Sequence, residues 1–77
     1  MAIGYLLINV NVGKENDVLK ELKTLPSVKE TYFVSGLYDI VAKVDTGNVP
    51  ELKELVTKIR RLEYVRSTLT MISMEEK

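Results

Sequence analysis

When the chain is set against itself with an offset of 37 residues, the apolar positions of its two halves coincide without a gap. Val18 falls on Leu55, Leu19 on Val56, Leu22 on Ile59 and Leu25 on Leu62. Val28 falls on Val65, Thr31 on Thr68, Ile3 on Ile40 and Leu7 on Val44. The agreement lies in apolar spacing more than in identity, so it establishes a repeated pattern and not a common ancestor. Each half carries strand, helix and strand in that order, and two such units pack about a pseudo-two-fold axis.

Local signals fill in the elements. Residues 3–12 read as a first strand, apolar on both faces at its centre, with Ile8, Val10 and Val12 on one side and Asn9 and Asn11 on the other. Gly13 opens a helix whose first turn is polar and acidic (Lys14, Glu15, Asn16, Asp17) and whose stripe is Val18, Leu22 and Leu25. Pro26 stops it. A second strand spans 28–35, with Val28, Glu30, Tyr32 and Val34 on one face and Phe33 on the other; Gly36 breaks it. A third runs from Ile40 to Val44, joined to the second as a hairpin. Asp45, Thr46, Gly47 and Asn48 form a loop, and Asn48 and Glu51 match an N-cap and its reciprocal partner. Leu52, Leu55, Val56, Ile59 and Leu62 give a second amphipathic helix. The last strand runs from Val65 to about Met74, before a polar tail, Glu75-Glu76-Lys77. The order β-α-β-β-α-β predicts an α+β, ferredoxin-like fold: four antiparallel strands with both helices on one face, as a single domain over 1–77.

Two helices cover only one face of four strands, and the other should be polar in a monomer. Here Tyr5 and Leu7 alternate with Leu6 and Ile8, and Phe33 and Val41 are expected on the open side with them. An apolar open face marks an interface. The expectation is a homodimer joined sheet to sheet through Tyr5, Leu7, Phe33 and Val41, with two-fold symmetry, as in a dimeric α+β barrel. A 77-residue chain also needs such a partner, because its own core is thin and there are no cysteines for a disulfide staple.

Composition closes off several functions. The absence of Cys and His removes thiolate and imidazole chemistry, and with it the usual metal sites. No glycine loop for phosphates and no activated nucleophile is present, so neither a cofactor nor catalysis is expected. Lys and Arg number 11 against 11 Asp and Glu, which supplies no basic footprint for nucleic acid. The longest apolar run, Tyr5–Ile8, is far short of the ~20 residues of a membrane span. No export signal precedes it, and the chain reads as cytoplasmic.

Two groups of residues could hold a small molecule. In Gly36-Leu37-Tyr38-Asp39, glycine permits close backbone approach while Tyr38 and Asp39 offer a hydroxyl and a carboxylate; as a string it is also ordinary turn chemistry. Thr68 and Thr70 lie two apart and point to one face, where paired hydroxyls could hold a carboxylate or ammonium; threonine is also simply a favoured strand residue. The helix charges, Lys53, Glu54 and Arg60 among them, read as a solvated face.

In ordered combination these stretches resemble the ligand-binding (RAM) module of the leucine-responsive regulatory protein/AsnC transcription regulators. The stretches are Leu6-Leu7-Ile8-Asn9-Val10, Gly13-Lys14-Glu15, Leu25-Pro26-Ser27-Val28-Lys29-Glu30, Val34-Ser35-Gly36-Leu37-Tyr38-Asp39-Ile40 and Val65-Arg66-Ser67-Thr68-Leu69-Thr70. The resemblance implies sheet-to-sheet dimers that assemble into rings, often octamers, with an amino acid as effector bound between dimers. By that analogy Gly36, Leu37, Tyr38 and Asp39 hold its amino and carboxylate groups, Thr68 and Thr70 contribute from the last strand, and Glu54 faces its side chain. Full-length members carry an N-terminal helix-turn-helix. With the first strand at Ile3 none is expected here, so the module should act on transcription by assembling with full-length relatives rather than by binding DNA. Two alternatives share the strand order: a small cofactor-free enzyme of the dimeric α+β barrel type, with Tyr5, Tyr32 or Tyr38 lining its pocket, and an ACT-like regulatory domain.

Overall fold

The computed structural model describes residues 1–73. Its elements are β1 (Ala2–Val10), α1 (Glu15–Lys23), β2 (Val28–Phe33), β3 (Ile40–Thr46), α2 (Val49–Arg60) and β4 (Val65–Ile72). The strands form one antiparallel sheet in the order β2-β3-β1-β4, so the expected ferredoxin-like topology holds. Met74 and the Glu75-Glu76-Lys77 tail lie outside the described residues.

Strict alternation along β1 and β3 sorts their side chains. Leu6, Ile8, Ile40, Ala42 and Val44 are fully buried on the helix side, where Val18 and Leu22 of α1 and Leu52 and Ile59 of α2 meet them. Each of the leucines, isoleucines and valines among them contributes roughly 1.5–3 kcal/mol of transfer free energy. α2 rides close to the sheet at Gly4, where an added Cβ would sit 3.2 Å from both Leu52 methyls.

Boundaries differ from the sequence expectation at several elements; α2 ends at Arg60, before Leu62, and β4 at Ile72. β1 ends at Val10, not at 12. The Asn11 N–H donates to Tyr64 O, Lys14 N–H closes a turn on Asn11 O, and Val12 is left 93% exposed. β3 continues through Asp45 and Thr46, pairing with Ile3 and Ala2, where a loop was expected. α1 ends at Lys23, before Leu25 and Pro26, with Thr24 as C-cap. β2 stops at Phe33: beyond it Val34 N–H still donates to Asp39 O, but Asp39 N–H donates to Ile8 O and not back to Val34.

A shift of register matters more. The β2–β3 register shifts between Val28 and Glu30, so Val28 pairs with Val44 but Tyr32 pairs with Val41 and Phe33 with Ile40. This bulge exchanges the faces. Phe33, expected on the open face, lies on the helix side with Ile40; Tyr32 takes the open face.

α2 is capped as its sequence suggests, with one change. Asn48 Oδ1 accepts from Glu51 N–H at 2.9 Å, while the Glu51 carboxylate accepts from Gly47 N–H at 3.0 Å, one residue earlier than a reciprocal capping box requires. Asn48→Ala is expected to cost about 1 kcal/mol. The thermal midpoint should then fall by roughly 4–8 °C at fixed protein concentration.

Candidate functional site

The hairpin connection between β2 and β3 is organised around Asp39. Its N–H donates to Ile8 O (3.0 Å), its carbonyl accepts from Val34 N–H (2.9 Å), and its carboxylate Oδ2 accepts from Val10 N–H (2.9 Å). The residue thus ties the hairpin to the central strand and is left half-buried. Its other oxygen, Oδ1, receives no protein donor among the described residues. Gly36 adopts φ 132°, a conformation that side chains resist, with open space where a Cβ would be. Leu37 is 89% exposed, and Tyr38 is half-buried beside it. Asp39, Phe33 and Val34 form one wall of an open cleft of about 340 Å³, and Glu15 and Asn16, in the first turn of α1, form the other. No side chain caps that helix start.

Thr68 and Thr70 stand opposite Ile8 and Leu6, on the helix side of β4. Thr70 lines a second depression, about 290 Å³, between β4 and α2. Leu52, Val56 and Ile72 make its apolar floor, and Lys53, Thr57 and Arg60 project from one stripe of α2. Sequence reading grouped the 36–39 loop with the two threonines. Within one chain they do not share a cleft, because they flank β1 from opposite sides. Glu54 is exposed on α2 and does not line this groove. Lys53, Thr57 and Arg60 were missed as lining residues. Their spacing of four and three placed them together on one helical face, but nothing in the sequence said that this face borders a strand edge.

The open face of the sheet carries Tyr5, Leu7 and Val41 as expected, with Tyr32, Leu69 and Met71 beside them. Tyr5 is 38%, Leu69 47% and Met71 51% exposed, part of a surface that runs across all four strands. At its β2 edge, Tyr32 donates its hydroxyl to the Glu30 carboxylate, and Lys43 Nζ stands 3.5 Å away. The tyrosine hydroxyl, then Lys43, hold the Glu30 pKa below its ordinary value, and Glu30 in turn raises that of Tyr32. Among the described residues no cluster of three or more acidic side chains could hold a metal, and no helix is long and apolar enough to cross a membrane.

Residues 4–77 match the family model described as the Lrp/AsnC ligand binding domain. The chain belongs to this family. The HTH-type transcriptional regulator FL11 of Pyrococcus furiosus is 34% identical over 73 residues, which is 95% of this chain and 48% of FL11. The Lrp/AsnC domain described here therefore spans about half the length of that regulator. A homocitrate synthase of Sulfurisphaera tokodaii is 37% identical over 59 residues, 77% of this chain but 13% of the enzyme. Among solved structures, FFRP-DM1 superposes with a TM-score of 0.93 at 37% identity, covering 96% of this chain and 100% of that one. The protein is accordingly a ligand-binding regulatory domain of the Lrp/AsnC kind.

Proposed function

We propose that this Lrp/AsnC domain senses a free amino acid in a cleft completed by a second subunit, and modulates transcription through assembly with family regulators. The separation of its two candidate groups carries the reading. Asp39, the end of the 36–39 loop, and Thr70 line different clefts of one chain, so a ligand touching both must lie between chains. The chemistry of the first cleft suits the ammonium end of such a ligand, since Asp39 Oδ1 has an open acceptor while Oδ2 is engaged by Val10 N–H. Sheet-to-sheet pairing through Tyr5, Leu7 and Val41, with Tyr32, Leu69 and Met71, supplies the dimer from which such assemblies are built. A ligand seated between dimers favours the assembly state that completes its site.

Calorimetric titration of the 20 amino acids, paired with sedimentation in their presence, tests the proposal. The expected result is binding of one or a few amino acids together with an increase in assembly mass. Absence of binding at millimolar concentration for all 20 would refute it. Asp39→Asn keeps an acceptor for Val10 N–H and removes only the charge. Hydrogen bonds to charged groups are worth roughly 1.5–3 kcal/mol, so affinity should fall about 10- to 100-fold while the dimer persists. Asp39→Ala should weaken binding at least as much, since it also unties the hairpin. A dimer that falls apart in Asp39→Asn would instead make the residue purely structural.

A further inference from the structure

The groove between α2 and β4 is more basic than a neutral ligand requires. Lys53 and Arg60 stand on one stripe of α2, seven residues or about 10 Å apart along the helix axis. Neither has an ion-pair partner among the described residues, although the chain has as many acids as bases. The acidic neighbour on this helix, Glu54, lies outside the groove. Opposite them, β4 presents the Thr70 hydroxyl, which makes no hydrogen bond among the described residues, whereas Thr57 already donates to Lys53 O. The groove thus holds two separated cations, a free hydroxyl and an apolar floor of Leu52, Val56 and Ile72.

We propose that this groove is the specificity subsite for a dicarboxylic amino acid of the aspartate and glutamate class. Two cations two helical turns apart suit two carboxylates on one short carbon chain, with the methylenes on the apolar floor. Thr70 donates to the carboxylate nearer the sheet. The ammonium group, which the groove itself repels, is left for an acidic acceptor such as Asp39 of the partner subunit. This identification rests on the amino-acid-sensing reading for the ammonium contact alone; the recognition of two carboxylates stands on Lys53, Arg60 and Thr70. Because the groove is open to solvent, its preference must weaken as salt screens the two charges.

The test titrates the full chain by calorimetry with L-glutamate, L-aspartate, L-leucine, glutarate and inorganic phosphate. The variants are Lys53→Gln, Arg60→Gln and the double substitution, all at exposed helical positions where glutamine is a good helix former. Glutamate or aspartate should bind at least tenfold tighter than leucine. The double variant should lose that margin while keeping wild-type helical content and thermal midpoint. Glutarate binding that disappears in the double variant supports the groove even if no amino acid binds, in which case only the sensing reading fails. Leucine binding as tightly as glutamate, with the sensing reading intact, overturns the groove proposal. So does glutamate binding unchanged in the double variant, or binding of phosphate but of no dicarboxylate.

Discussion

Leu6→Ala is expected to bring the domain close to unfolding. Leu6 is completely buried at the centre of β1, the strand bonded on both sides, between Ala42 and Thr70. Large-to-small changes at such positions cost about 2–5 kcal/mol, with the upper end reached where the surroundings cannot collapse. Here they cannot. Two ladders of hydrogen bonds hold the backbone, and Ala42, the neighbour directly across, has no length to reach into the space. A domain of this size has a total stability of roughly 4–12 kcal/mol, so the change removes a third or more of it. With a urea dependence of about 1 kcal/mol per molar for a small domain, the midpoint should drop by ~2 M or more at fixed protein concentration. A loss under ~1 kcal/mol would mean that the core fills the space by rearrangement and is looser than its burial indicates.

Leu69→Lys is expected to turn the dimer into a folded monomer. The side chain lies on the open face opposite Leu7, beside Tyr5 and Met71, and is 47% exposed in the single chain. In the monomer a lysine there projects into water at little cost. In a sheet-to-sheet dimer it is desolvated against an apolar surface, and by two-fold symmetry it is present twice. An unpaired buried ammonium costs several kcal/mol, and ~4 kcal/mol already raises the dissociation constant about a thousandfold. Sedimentation should therefore show one-chain particles at concentrations where the parent chain is dimeric, with an unchanged β-sheet circular dichroism signal. If the variant keeps the parent's mass, the open face is not where the copies meet.

The fold was legible in the sequence because its signals were periodic. The apolar spacing of Val18 and Leu22, repeated at Leu55 and Ile59, and the alternation through Leu6 and Ile8 needed no tertiary context. What could not be read were single-residue departures from periodicity. The bulge beside Lys29 leaves no mark on composition, yet it moves Phe33 and Tyr32 to opposite faces from those expected. Val12 continues the alternation of β1 perfectly and still leaves the sheet, because the hydrogen bond from Asn11 to Tyr64, 53 positions away in the chain, ends the ladder first. The residues of the candidate site could be named from the sequence, but not their arrangement. The chemistry of Asp39 and Thr70 was visible, but their separation into different clefts depends on strand order, which places β3 and β4 on opposite flanks of β1. Lys53 and Arg60 looked like solvent charges for the same reason.

The three hydrogen bonds of Asp39 have a mechanical consequence. Two of them grip Ile8 and Val10, while the residues that alternate with these, Leu7 and Asn9, point to the opposite side of the sheet, where the second copy is expected. The proposed effector loop and the proposed mating surface are thus separated by a single peptide unit of one strand. A tug on the loop reaches the other side through covalent backbone rather than through a chain of side chains. Because such linkage is reciprocal, if the loop does bind an effector, whatever tightens the grip of one copy on another would, through the same strand, alter how firmly the loop holds it.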